Sequence, residues 1–328
     1  MTIKKAILNL FSQSTDLSIK EIVDTLLVSK QAVHYAINQL LEEQQVEKFG
    51  RAPKTIYRLV KQTNILKPET AIELSSYEVA ELHKKVLVIT EVGKMLTGIE
   101  GFTYWCNQRK LPIEKTITEY LETQKKHQVY FGKNHLIDGT DKLKNTKGYN
   151  HIWLDKLYYC DFYAIERFGK TRLGTLLHYA KQGQSKMLMK ILVDEIRAVL
   201  INFIKETKAD AVGFVPPTVR REVQIMKFIE TQLKLSLPII KINKVSGLIP
   251  VPQKSLNKLD ERIRNAENTF SVTEKATYNH VVLIDDAVGS GSTLNEIAGK
   301  IKNKKITKKI TGLAIVGSFK GFDVVTDV

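Results

Sequence analysis

Thirteen residues constrain this chain more than any others: Val281-Val282-Leu283-Ile284-Asp285-Asp286-Ala287-Val288-Gly289-Ser290-Gly291-Ser292-Thr293. Four apolar β-formers read as a buried strand, and two adjacent carboxylates stand where that strand is expected to end. A small-residue loop follows, and Leu294 to Ile301 reads as a helix. A strand, a Gly/Ser/Thr loop and a helix N-terminus together form an anion cradle. Backbone N–H groups converge there, and the helix dipole favours negative charge. Glycines at 289 and 291 let the backbone approach a phosphate closely. Carboxylates beside such a cradle repel phosphate but accept hydrogen bonds from sugar hydroxyls. The ligand implied is a sugar phosphate with a free diol. A Walker loop is excluded, because no Gly-Lys-Ser/Thr follows the strand.

The run resembles the phosphoribosyl-pyrophosphate (PRPP) motif of type I phosphoribosyltransferases: a hydrophobic strand, two acids, then a small-residue loop ending in Gly-x-Thr. The resemblance implies that Asp285 and Asp286 hold the ribose 2′ and 3′ hydroxyls. It implies that Ala287, Val288, Gly289, Ser290, Gly291, Ser292 and Thr293 hold the 5′-phosphate. Where the family often has Thr-Thr, this chain has Gly289-Ser290, so one hydroxyl is lost.

At 328 residues the chain is long enough for two or three domains, each with its own core. No apolar run reaches the ~18 residues of a membrane span, and Ala6-Ile7-Leu8 is too short for a signal peptide. Cys106 and Cys160 give neither a disulfide framework nor metal spacing. These features lead us to expect a cytoplasmic protein with no membrane association and no structural metal. The net charge of +15 asks for a polyanionic partner. Part of it clusters at Lys300, Lys302, Lys304, Lys305, Lys308 and Lys309. That run reads either as a solvated helix end or as a patch touching nucleic acid.

The first sixty residues read as three helices and a hairpin. Ile3, Ala6, Ile7, Leu10 and Phe11 share one helical face. Ser18, with Glu21 three residues on, signals a capping box for a second helix, and Ser29 signals a cap for a third. The third buries Ala32, Val33, Ala36, Ile37, Leu40 and Leu41, and its first turns carry Lys30, Gln31, His34, Tyr35 and Asn38 on the opposite face. Strands at 46–49 and 55–60 flank a turn holding Arg51 and Lys54. This arrangement resembles a winged helix-turn-helix, in which the third helix enters the major groove and the wing touches the backbone. Gln31 and Asn38 suit base edges; Lys30, Arg51 and Lys54 suit phosphates. Residues 1–61 hold nine Lys or Arg and six Asp or Glu, a net +3. That is modest for a lone double-stranded DNA binder, and a homodimer would double the contacts. The alternative is a winged helix used for protein contacts.

Residues 62–150 are expected to form a linker, Lys61 to Thr70, and a mostly helical middle region. Ser75 with Glu78 caps a helix running toward Leu96, and Pro112 begins another through Lys126. Tyr104, Trp105 and Cys106 beside Arg109 and Lys110 read as core aromatics with solvated charges, or as a nucleic-acid surface. From about Tyr149 an α/β rhythm begins. Ser185 precedes an amphipathic helix reaching Phe203; 211–215 reads as a strand, a helix runs from near Arg221 to Leu233, 238–242 is a second strand, and 312–316 another. Such alternation implies α/β architecture, a Rossmann-like parallel sheet over residues 151–328. Ligands then bind at the carboxyl ends of the strands. In the resembling family the loop after the first strand binds pyrophosphate. The resemblance places Pro216, Pro217 and Thr218 there, with Arg220 or Arg221 as charge partners.

Pro252-Gln253-Lys254-Ser255-Leu256, Arg262, Asn265 and Phe270, with Tyr179, Lys181 and Gly183 upstream, resemble the ComF-like branch of the family. The chain lacks that branch's N-terminal cysteine cluster and has the helical module instead. A DNA-binding module joined to this fold is similar to purine-operon repressors that use it as a PRPP sensor. The expectation is a PRPP-responsive transcriptional regulator. One alternative is an active phosphoribosyltransferase, with Asp285 and Asp286 positioning the ribose and Mg²⁺ bound through the pyrophosphate. The other is a ComF-like accessory of DNA uptake or repair.

Overall fold

The computed structural model describes residues 2–43, 45–51, 53–60, 74–217, 219, 221–245 and 258–318. The expected linker at 61–70, Thr218, Arg220 and the 252–256 series lie outside the described residues. The chain divides into two compact units, 1–72 and 73–328.

Unit 1 consists of α1 (Ile3–Leu10), α2 (Ile19–Leu26), α3 (Lys30–Glu42) and an antiparallel hairpin of β1 (Val46–Arg51) and β2 (Lys54–Leu59). Ser18 and Glu21 form the capping box of α2, and the Ser29 hydroxyl accepts from the Ala32 N–H to start α3. Leu27 ends α2 in the left-handed region at φ 52°. Ile7, Ile22, Val33, Ile37, Leu40 and Tyr57 close the core. Each fully buried aliphatic side chain there contributes about 1.5–3 kcal/mol.

Unit 2 begins with α4 (Ser76–Lys85), again started by a Ser75–Glu78 capping box. The helix expected to reach Leu96 stops at Lys85. Val86 to Ile89 is an apolar run with three β-branched residues and better strand than helix propensity, and it forms β3 (Leu87–Ile89) against β4 (Met95–Thr97), with Gly93 turning at φ 82°. Then follow α5 (Gly98–Gln108), α6 (Ile113–Gln128), β5 (Ile137–Asp138), α7 (Thr140–Asn145), β6 (Lys156–Phe162), β7 (Ala164–Ile165), β8 (Gly169–Lys170), α8 (Arg172–Gln182), α9 (Lys186–Thr207) and β9 (Ala211–Phe214). The remainder is α10 (Ile225–Leu233), β10 (Ile242–Lys244), α11 (Leu259–Thr269), β11 (Phe270–Val272), β12 (His280–Val288), α12 (Ser292–Asn303) and β13 (Lys309–Gly317).

The architecture is α/β. A five-stranded sheet runs in the order β5-β6-β13-β12-β9, parallel except for β5. The strand expected at 238–242 is reduced to a single parallel bridge, Ile239 to Val212; residues 242–244 pair instead with β11 in a separate ribbon. Helices cover both faces. On one lie α8, α9 and α10, through Leu177, Leu192, Ile196 and Ile229; on the other lie α11 and α12, through Ala266, Leu294, Ile297 and Ile301. The helices of 74–150 share that second core: Leu82, Phe102, Ile117 and Tyr120 cluster with Leu157, Val281 and Leu294. Trp105 stacks on Phe102 at 5.7 Å and carries the Arg109 guanidinium 4.3 Å above it, so these aromatics belong to the core and its rim.

The topology creates a crevice. From β9 the chain leaves through α10 and returns at Ile239, outside β9. From β12 it leaves through α12, on the other face, and returns in β13, inside the sheet. Connections that diverge from neighbouring strands open a gap at their carboxyl ends.

Candidate functional site

One cleft occupies that gap, with a volume of about 130 Å³. Its floor is the end of β12. The strand does not stop at Ile284 as the sequence implied; it continues through Asp285 to Val288, paired to β13 from Asp285↔Ala314 to Val288↔Gly317. Pairing with β9 ends at Ile284↔Phe214, closed by the Val215 N–H on the Ile284 carbonyl at 2.9 Å. The acids therefore sit in a strand with one free edge, and that edge faces the cleft. β13 is long enough to hold them extended, although carboxylates are poor strand formers.

The cradle follows at once. Gly291 caps α12 at φ 81°, a left-handed conformation that favours glycine, and the helix begins at Ser292 rather than Leu294. Ser290 and Ser292 are buried, and their hydroxyls lie 3.0 Å apart. The Tyr149 hydroxyl donates to the Ser290 carbonyl at 2.7 Å and braces the loop from outside. Asn295, fully buried, anchors the first turns of α12. Its Oδ1 accepts from the N–H groups of Trp153 and Leu154 at 2.7 and 3.3 Å, and its Nδ2 donates to the His151 carbonyl at 3.0 Å.

All nine residues from Asp285 to Thr293 line the cleft, and Pro216 and Pro217 line it from the β9 side. Sequence reasoning missed Val215, Met226 and Leu294 as lining residues, and named Lys181 and Arg262 only through the family series. Among the described residues these two are the cations of the lining. Lys181, on the last turn of α8, donates from Nζ to Asp286 Oδ2. Arg262 enters from α11 on the other face, and burial lowers its pKa. Nothing local marks Lys181, which lies 105 residues before its partner. Arg221 does not reach the cleft lining; it donates to Gln182 at 3.2 Å.

Burial, and then the neighbouring Asp286 charge, push the Asp285 carboxyl well above the ordinary carboxylate range; Lys181 opposes that rise. Asp285 Oδ1 accepts from the Asp286 N–H at 2.8 Å. Each carboxyl keeps acceptor capacity beyond these contacts, which hydroxyl donors can use. Away from the cleft, Cys106 and Cys160 are buried, their thiols pushed up to about 11 and about 12 by desolvation.

In unit 1, Lys30, Gln31, His34, Tyr35 and Asn38 are all exposed along α3, and Lys54 is exposed on the hairpin, where its backbone pairs with Arg51. The basic run after the cradle is partly engaged: Lys300 donates to the Glu267 carbonyl, Lys302 pairs with Asp155, and Lys304 donates to the Val272 carbonyl. No helix among the described residues is long and apolar enough to cross a membrane. No protein-family model matches the chain, and a search of curated proteins finds no significant match.

Proposed function

We propose that the chain binds PRPP in the cleft and couples its occupancy to DNA binding by residues 1–61, acting as a PRPP-responsive transcriptional regulator. One observation carries the reading: two adjacent carboxylates on the free edge of β12 run directly into a backbone cradle at the start of α12, opposite Pro216 and Pro217. A ribose diol meets the acids, its 5′-phosphate the cradle, and its diphosphate the Pro216 side. The atoms that the cleft offers a cation are oxygens, from Asp285, Asp286 and the loop hydroxyls, a set that suits Mg²⁺, with the Lys181 ammonium already on Asp286. Bound through the diphosphate, that ion would neutralise its charge.

The three helices and basic-tipped hairpin of unit 1 supply the second half of the proposal as a winged helix, with α3 as the groove-reading helix. PRPP then acts by differential binding to two states of a homodimer. The test is a calorimetric titration of PRPP with Mg²⁺, followed by DNA affinity with and without it. Saturable binding at one site per chain and a PRPP-dependent shift in DNA affinity are expected. No binding at millimolar PRPP would overturn the proposal. Release of pyrophosphate on adding a purine or pyrimidine base would instead make the protein a working phosphoribosyltransferase.

A further inference from the structure

Lys181 raises a question that the acid pair alone does not answer. Its ammonium occupies Asp286, one of the two carboxylates that a diol needs. The Lys181 side chain is only 22% exposed, so displacing it from Asp286 does not simply return it to water. A partly buried ammonium deprived of its acceptor is costly unless another anion takes the place of the first.

The fold supplies a location for that anion. The end of α8 is tied to the segment that follows the Pro216-Pro217 turn. Gln182 accepts from Arg221 at 3.2 Å, and Gln184 Oε1 accepts from the Val223 N–H at 2.9 Å. Lys181 therefore stands on the Pro216 wall of the cleft, on the α8–α10 face of the sheet, whereas the cradle belongs to α12 on the other face. A ligand whose phosphate fills the cradle therefore meets Lys181 from the other face of the sheet, beside Asp286.

We infer that Lys181 is the specificity-determining cation of the cleft: it holds Asp286 while the site is empty and passes to an anion carried by the ligand beside its diol. The site thereby selects a sugar phosphate with a second anionic group next to the diol, the anomeric diphosphate, over the same sugar phosphate without one. The inference rests on the PRPP reading and extends it from what the cleft accepts to what it rejects. Ribose 5-phosphate offers both hydroxyls and the cradle phosphate, but it strands the ammonium. PRPP offers the same groups and re-pairs it.

The test compares PRPP with ribose 5-phosphate, each with Mg²⁺, on the full chain as wild type, K181M and K181R. Met keeps the length and volume of the side chain without its charge, and the thermal midpoint of each variant confirms folding. Wild type is expected to prefer PRPP, and K181M to lose roughly 10- to 100-fold of that preference, the worth of one charge-assisted hydrogen bond. K181R is expected to restore most of it. A K181M protein with the wild-type ratio of the two affinities, whether both are unchanged or both equally weakened, would show Lys181 to be a structural partner of Asp286 and overturn the inference. A wild type that binds PRPP no better than ribose 5-phosphate would also overturn it while leaving the cleft a pentose-phosphate site. A wild type that binds neither would overturn the PRPP reading itself, and the inference with it.

Discussion

Replacing Asp285 by Asn should make the protein more stable and unable to bind its ligand. Asn is isosteric, and its Oδ1 still accepts from the Asp286 N–H, as Asp285 does at 2.8 Å. What the substitution removes is a negative charge that burial and Asp286 both disfavour. The folded protein holds the Asp285 proton at pH values where the unfolded chain has already released it. Stability therefore falls as pH rises from the ordinary carboxylate pKa to the elevated folded one. Each unit of elevation costs about 1.4 kcal/mol. With the folded carboxyl pushed up to about 8, half of that elevation already corresponds to a penalty of about 2–3 kcal/mol by pH 8. In a unit of this size that is a rise in the thermal midpoint of about 5–10 °C for D285N at pH 8, shrinking to nothing near pH 4. Both tryptophans, Trp105 and Trp153, lie in unit 2, so fluorescence melting at pH 4, 6 and 8 reports that unit alone. A D285N protein no more stable than wild type at pH 8, or a gap that does not change with pH, would refute the reasoning. Loss of PRPP binding in the same variant identifies the acid as one whose unfavourable charge is kept for the ligand.

Two further variants test other parts. Asn295→Leu leaves the N–H groups of Trp153 and Leu154 and the His151 carbonyl without their buried partner; a loss of about 2–4 kcal/mol is expected by chemical denaturation, and a loss below half that would mean the 151–154 segment re-pairs elsewhere. Arg51→Ala with Lys54→Ala should flatten the salt dependence of DNA binding by roughly one to two units in the log–log slope, at about 0.9 per phosphate contact; an unchanged slope removes the hairpin from the interface.

Much of this architecture was legible in advance because it is local. The capping serines 18, 29, 75 and 185 each start the helix that the sequence assigns to them. The polar face of α3 follows from spacing alone. What was not legible depends on distant partners. Asp285 to Val288 is strand because β13 extends alongside it, a fact written at residues 314–317. Val86 to Ile89 leaves α4 because β4 is there to receive it. The start of α12 was hidden because Ser292 and Thr293 resemble loop residues and the cap is a glycine with no side-chain signal. Pro216 and Pro217 could be placed at the cleft from strand order, but Lys181 could not, because its role exists only once α8 lies over the end of β12.

The anchoring of residues 151–154 on α12 has an optical consequence. Trp153 is held by its backbone to Asn295, and its indole lies so close to Gly299 that a Cβ there would come within 2.8 Å of it. Asn295 belongs to the first turns of α12, so any shift of that helix would move the indole's surroundings too. The other indole, Trp105, lies under the Arg109 guanidinium at the rim of the second core. With Trp105 replaced by Phe, Trp153 becomes the sole tryptophan, and its emission would report a movement of α12 without any attached label.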